Sequence, residues 1–134
     1  MRTLALAALL AGLAFAAPLL AHHSYAMFDR DKDVVLVGTV KEWQWTNPHT
    51  WLVLDVLDDQ GKLTEYSIEG QSPQVLRLLG FPGKDMMKPG DKVTVHMRPL
   101  RDGTAGGQLA SVSTSDGKIF SGTPPKPGSE KESR

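Results

Sequence analysis

No cysteine occurs in the chain, and its 134 residues carry no net charge, with 15 Lys and Arg against 15 Asp and Glu. The first absence excludes disulfides, zinc–thiolate sites and thiol catalysis. The second removes the basic field that nucleic-acid binding requires, so no nucleic-acid partner is expected. Aromatic residues are sparse at 7%, which makes any clustering of them informative. Long apolar runs are scarce too, with one exception near the start. Leu4 to Phe15 is a continuous stretch of apolar and small residues behind Arg2. It falls short of the roughly 20 residues that a spanning helix needs. A charged start, a short apolar stretch and small residues before a cut are the pattern of a secretory signal peptide.

Pro18 breaks that segment a few residues before Ala21, which favours cleavage after Ala21. Ala14-Phe15-Ala16 is the better small-x-small match, since a cut after Ala21 puts Leu19 at the less favourable third position back, and it would leave Ala17 at the terminus. The expected organisation is a signal peptide over 1–21, an N-terminal arm over 22–33, a β-barrel domain over 34–121 and a disordered tail over 122–134. The tail is Pro, Gly, Ser and charge, too poor in apolar residues to offset the entropy of ordering. The implied address is the periplasm or the exterior, by Gram-negative-type export, with no membrane span once the signal is removed. Residues 22–134 suit one small domain.

β-Branched density and alternation predict the strands. Val34 to Gln44 is the first, and its internal Gly38 signals a bulge or tight bend. Thr50 to Leu57 and Leu63 to Glu69 form a hairpin across the polar turn Asp58-Asp59-Gln60-Gly61. The period then changes. Ser72 caps a helix, Pro73 fits its first turn, Val75, Leu76 and Leu79 share one face, and Gly80 stops it. Lys92 to Arg98 is the fourth strand. Asp102 to Gly107 reads as a flexible loop, Gln108 to Thr114 as the fifth strand, and Ile119-Phe120 as a short extension. Three strands, a helix and two strands is the order of a small OB-like β-barrel, a mainly β fold with one short helix. An open α+β sandwich is the alternative.

All four histidines follow the apolar leader: His22, His23, His49 and His96. Cleavage after Ala21 gives His22 a free α-amine beside its imidazole, a chelate for a transition metal such as Cu(II), Ni(II) or Zn(II). The three tryptophans fall within nine residues, Trp43-Gln-Trp-Thr-Asn-Pro-His-Thr-Trp51. Asn47-Pro48 is turn chemistry, and the turn carries His49 to a barrel end where OB barrels bind ligands. Trp43, Trp45, Trp51 and Asn47 are the candidate ligand-binding residues; His22, His23 and His49 are the candidate metal ligands. The plainer readings are packing for the tryptophans and, for His49, a ring bonded to a backbone carbonyl. His96 between Thr94 and Arg98 reads as a strand-face residue, and Met86-Met87 as a plug beside the helix. No nucleophile stands with a base at a recognised spacing, so catalytic residues are absent from this reading and an enzyme is not expected.

His22-His23-Ser24, the strand Gly38-Thr39-Val40, Trp45-Thr-Asn-Pro-His-Thr-Trp51 and Lys88-Pro-Gly-Asp-Lys-Val-Thr-Val95 together resemble a family of small exported bacterial proteins, the domain of unknown function 6152. The likeness runs from His22 to Phe120 and implies no activity. In architecture and compartment the chain is also similar to the small periplasmic copper and silver chaperones, which are OB barrels. Those hold Cu(I) with one histidine, two methionines and a tryptophan. Here His49, Met97, Met86 and Met87 are present, but no strand pair carries that spacing. The expected function is a periplasmic binding protein that takes a copper-type metal through N-terminal and loop histidines. The alternative is a module that uses the tryptophan-rich loop to hold a non-metal ligand or a periplasmic protein partner.

Overall fold

The computed structural model describes residues 26–124. Among these residues six strands and one helix follow in chain order: β1 Val34–Gln44, β2 Trp51–Leu57, β3 Leu63–Glu69, α1 Pro73–Leu78, β4 Lys92–Pro99, β5 Gly106–Thr114 and β6 Ile119–Ser121. β1 pairs antiparallel with β2 and β4, β2 with β3, and β4 with β5. A parallel pairing of β3 with β5 closes the ring. The result is a five-stranded OB-like barrel, as the element order predicted. β6 lies on β5 at Ser111–Ser113, beyond the stretch that β3 occupies. None of the described helices is long and apolar enough to cross a membrane.

Alternation decides which side chains enter the barrel. Leu36 and Val40 of β1, Leu52 and Leu54 of β2, Ile68 of β3, Val93, Val95 and Met97 of β4, and Leu109 and Val112 of β5 are buried in one core. The hydrogen-bonded path from Gln44 runs through Trp51, Glu69 and Gln108 to Arg98, and the next residue of β4, Met97, pairs with Val34. The ring therefore returns to β1 about ten residues from where it left, a large stagger that coils the strands strongly.

Two bulges supply that coiling. In β1 the extra residue is Lys41, between Val40 and Glu42, and not Gly38. Gly38 answers a different need: a Cβ there would lie 2.7 Å from the Asp55 carbonyl oxygen and 2.7 Å from Leu54. In β5 the extra residue is Ala110. The predicted loop through Gly107 is shorter than expected, because Gly106 and Gly107 belong to β5. A Cβ on Gly107 would lie 2.3 Å from the Arg98 carbonyl oxygen, and one on Gly106 2.7 Å from that of Ser67. These glycines permit close strand contact, a use that looks the same in sequence as a flexible turn.

α1 closes one end of the barrel. The Ser72 hydroxyl accepts from the Val75 N–H, Pro73 takes the first turn, and Leu76 is fully buried. Phe81 and Met87 follow it into the core, and Met86 packs against them. Near the start of β1, Phe28 is buried and bridges Leu100, Asp29 N–H donates to the Pro99 carbonyl, and Arg101 N–H donates to that of Met27. Residues 26–30 are thus pinned to the segment that joins β4 to β5.

Candidate functional site

The tryptophan cluster splits in two. Trp43 and Trp51 belong to strands, and only Trp45 opens the β1–β2 loop. Trp43 is buried; its indole N–H donates to the Gly83 carbonyl at 3.2 Å, and its ring stacks on Phe81 at 6.4 Å between centroids. That is the packing use of a large aromatic. Trp45 is half-buried, 5.7 Å from Trp43, with the Arg77 guanidinium 5.6 Å above its ring. Trp51 faces outward between Gln44 and Glu69.

The loop itself is short and tied at both ends. Asn47 is exposed and precedes a cis bond to Pro48. The Thr46 hydroxyl donates to the His49 carbonyl at 2.9 Å. Thr50 is fully buried, and its hydroxyl and its N–H both donate to the Gln71 carbonyl, at 2.9 and 3.2 Å. Gly70 N–H returns a bond to the Thr50 carbonyl at 2.8 Å. These bonds fasten the end of the loop to the strand that ends in Glu69.

That fastening brings His49 and Glu69 together. His49 Nδ1 pairs with Glu69 Oε1, rather than with a backbone carbonyl. The Glu69 side chain is only 15% exposed, and that of His49 is 37% exposed. Among the described residues His49 Nε2 has no hydrogen-bond partner. Glu69 lies in the outward row Gln44, Trp51, Glu69, Gln108, Arg98. This row runs past the β1–β2 and β4–β5 loops, which border the ligand face of OB barrels. Arg98 donates to the Arg30 carbonyl at 2.9 Å, and Arg101 Nε to that of Ala26 at 3.2 Å. The Ser67 N–H donates to the Ala105 carbonyl at 3.2 Å, so the β4–β5 loop abuts β3 just below Glu69. At its tip, hydrogen bonds from the Thr104 N–H and hydroxyl hold the Asp102 carboxyl below the usual carboxylate range.

His22 and His23 lie outside the described residues, so their relation to His49 is not part of this geometry. Among the described residues no three His, Asp or Glu side chains converge as a metal cage. Met97 and Met87 are buried in the core, which removes both from any surface thioether site. The residue that sequence reading missed is Glu69. In sequence it is only the last residue of the third strand, and nothing local links it to a histidine twenty positions earlier.

A second histidine–carboxylate pair lies elsewhere. His96 Nδ1 meets Asp33 Oδ2 at 2.8 Å, with side chains 41% and 46% exposed. It stands on the outer face of β4, opposite Ser111. A cavity of about 650 Å³, whose lining does not include His49 or Glu69, lies against Trp45 and Arg77.

No curated protein and no solved structure matches the chain. A family model, described as a family of unknown function (DUF6152), matches residues 9–110. That match spans most of the chain, including β1 to β4, the tryptophan-rich loop and the His49–Glu69 corner, and the chain belongs to this family.

Proposed function

We propose that the protein is an exported periplasmic binding protein, not an enzyme, that takes up a copper-type transition metal. His49 provides a ring nitrogen, Nε2, and the N-terminal residues His22 and His23 provide the rest. The observation that carries this reading is the pairing of His49 Nδ1 with the shielded Glu69 carboxylate. A metal-binding histidine commonly donates its other ring N–H to a carboxylate, which fixes the tautomer and turns the free nitrogen outward. Glu69 is then a positioning residue and His49 the ligand.

The path of the arm supports the same reading. Ala26 is held by Arg101 at one side of the β4–β5 loop. Residues 22–25 reach at most about 14 Å from there. Arg98, three residues before Arg101, stands two strand spacings, or about 10 Å, from Glu69 across the sheet. Imidazole and a terminal amine suit Cu(II). A metal shared between arm and loop would order the arm on binding.

The test uses the chain beginning at His22, titrated with Cu(II) and followed by tryptophan fluorescence, since Trp51 lies two residues from His49. Quenching is expected, lost in His49→Ala and sharply weakened when one alanine precedes His22. Equal affinity with and without that alanine overturns ligation by the terminal amine. Unchanged quenching in His49→Ala overturns the role of the loop.

A further inference from the structure

Apart from the His49 corner, the chain carries a groove that the metal reading does not use. Its base is apolar: Trp45, Met86, Val93 and Phe120. Phe120 is itself braced by Phe81 at 5.4 Å between centroids. The volume, about 650 Å³, falls in the range of small-molecule sites.

Charge around this base is uneven in a specific way. Of the carboxylates at the rim, Asp116 is engaged by Lys118 at 3.2 Å and by the Thr114 hydroxyl. Asp91 accepts from the Lys88 N–H at 2.8 Å. Asp85 alone has neither an ion pair nor a hydrogen bond among the described residues. Of the cations, Lys92 reaches only the Thr39 hydroxyl. Arg77 and Lys84 have no carboxylate or hydrogen-bond partner among the described residues. With Asp116 and Lys118 paired, the groove offers three cations without a carboxylate partner, Arg77, Lys84 and Lys92, against two carboxylates without a cation partner, Asp85 and Asp91.

Arg77 is also placed with care. It lies in the last turn of α1. Its guanidinium spreads over Trp45 beside Gly83, where a Cβ would come within 3.3 Å of Nη2. Gly83 has φ +131 and spends its carbonyl on the Trp43 indole. The cation is thus held against an aromatic face with its donors still open. A planar guanidinium in that state suits a carboxylate.

We propose that this groove is a second binding site, for a small aromatic carboxylic acid. The ring lies against Trp45 and Phe120, and the carboxylate pairs with Arg77, with Lys84 at the rim. The net positive rim selects the acid over its neutral counterpart.

Calorimetric titration with 2-naphthoate and with neutral 2-naphthalenemethanol tests this. Saturable binding of the acid is expected, with the alcohol about tenfold weaker or more. Arg77→Gln is expected to weaken the acid by about tenfold and leave the alcohol unchanged. Copper quenching through His49 is expected to persist in Arg77→Gln, which shows that the variant folds and separates this site from the metal site. Equal affinity for acid and alcohol, no saturable binding of the acid, or an Arg77→Gln variant that binds the acid as well as the parent overturns the proposal.

Discussion

Two histidines in this barrel face a carboxylate through the same ring atom, Nδ1, yet the two pairs differ in kind. His96 and Asp33 are both more than two-fifths exposed. Water and salt screen such a pair, and its worth is small. Glu69 is six-sevenths covered, and it meets a histidine whose loop is locked by Thr50, Gly70 and Gln71. The comparison teaches that a histidine–carboxylate contact gains significance from what surrounds it. A shielded, tethered carboxylate can orient a ring; an exposed one only accompanies it.

The strongest way to break the comparison is to neutralise each carboxylate in turn. Glu69→Gln is expected to lower Cu(II) affinity by about 10–100-fold, the usual cost of losing an orienting partner. Asp33→Asn is expected to change it by less than about twofold. Equal losses in the two variants would mean that the two pairs are equivalent and that Glu69 has no orienting role.

A second test attacks the lock. Gly70→Ala would place a Cβ 2.3 Å from the Thr50 hydroxyl oxygen, at a residue whose N–H, carbonyl and hydroxyl are all engaged. Overpacking of this kind costs about 1–3 kcal/mol. Ser111→Ala, opposite His96, is expected to stay within about 0.5 kcal/mol. Urea unfolding of the two variants reads the difference, and similar midpoints would contradict the claim that only the His49 corner is locked.

The smallest effect concerns pH. The Thr114 hydroxyl first, and then Lys118, hold the Asp116 carboxyl below the usual carboxylate value at the β5–β6 turn. A carboxylate with a depressed folded value contributes stability that is present above its unfolded value. That contribution is lost as pH falls through the folded value, so its window lies at and below the ordinary carboxylate range near pH 3.9. Asp116→Asn is expected to lower the thermal midpoint slightly at pH 7 and to show a smaller further fall at pH 3. A variant whose acid loss equals that of the parent would assign the loss to other carboxylates.

Much of the fold was legible because its signals are local. Alternation in Leu63 to Glu69 and the Ser72-Pro73 start of α1 need only neighbouring residues to be read. The errors share one cause. Gly38 reads as a bulge or tight bend, and the bulge lies at Lys41; Gly106-Gly107 read as a loop and belong to β5, since sequence records that a glycine is present but not which backbone approaches it. The candidate site was legible in part. His49 stood out by its turn, whereas no local pattern marks Glu69, at the end of β3, or Arg77, in the last turn of α1.

The sequence by itself determined the strand order, the apolar leader, the absence of thiol chemistry and the identity of the histidines. Only the tertiary structure decided which partners those residues meet. The stagger of the barrel sets Gln44, Trp51, Glu69, Gln108 and Arg98 in one row, and the Thr50–Gln71 lock turns His49 onto Glu69. The physical reason is that period and propensity act over a few residues. Register and closure, which bring residues from distant strands together, are fixed only when the whole core packs.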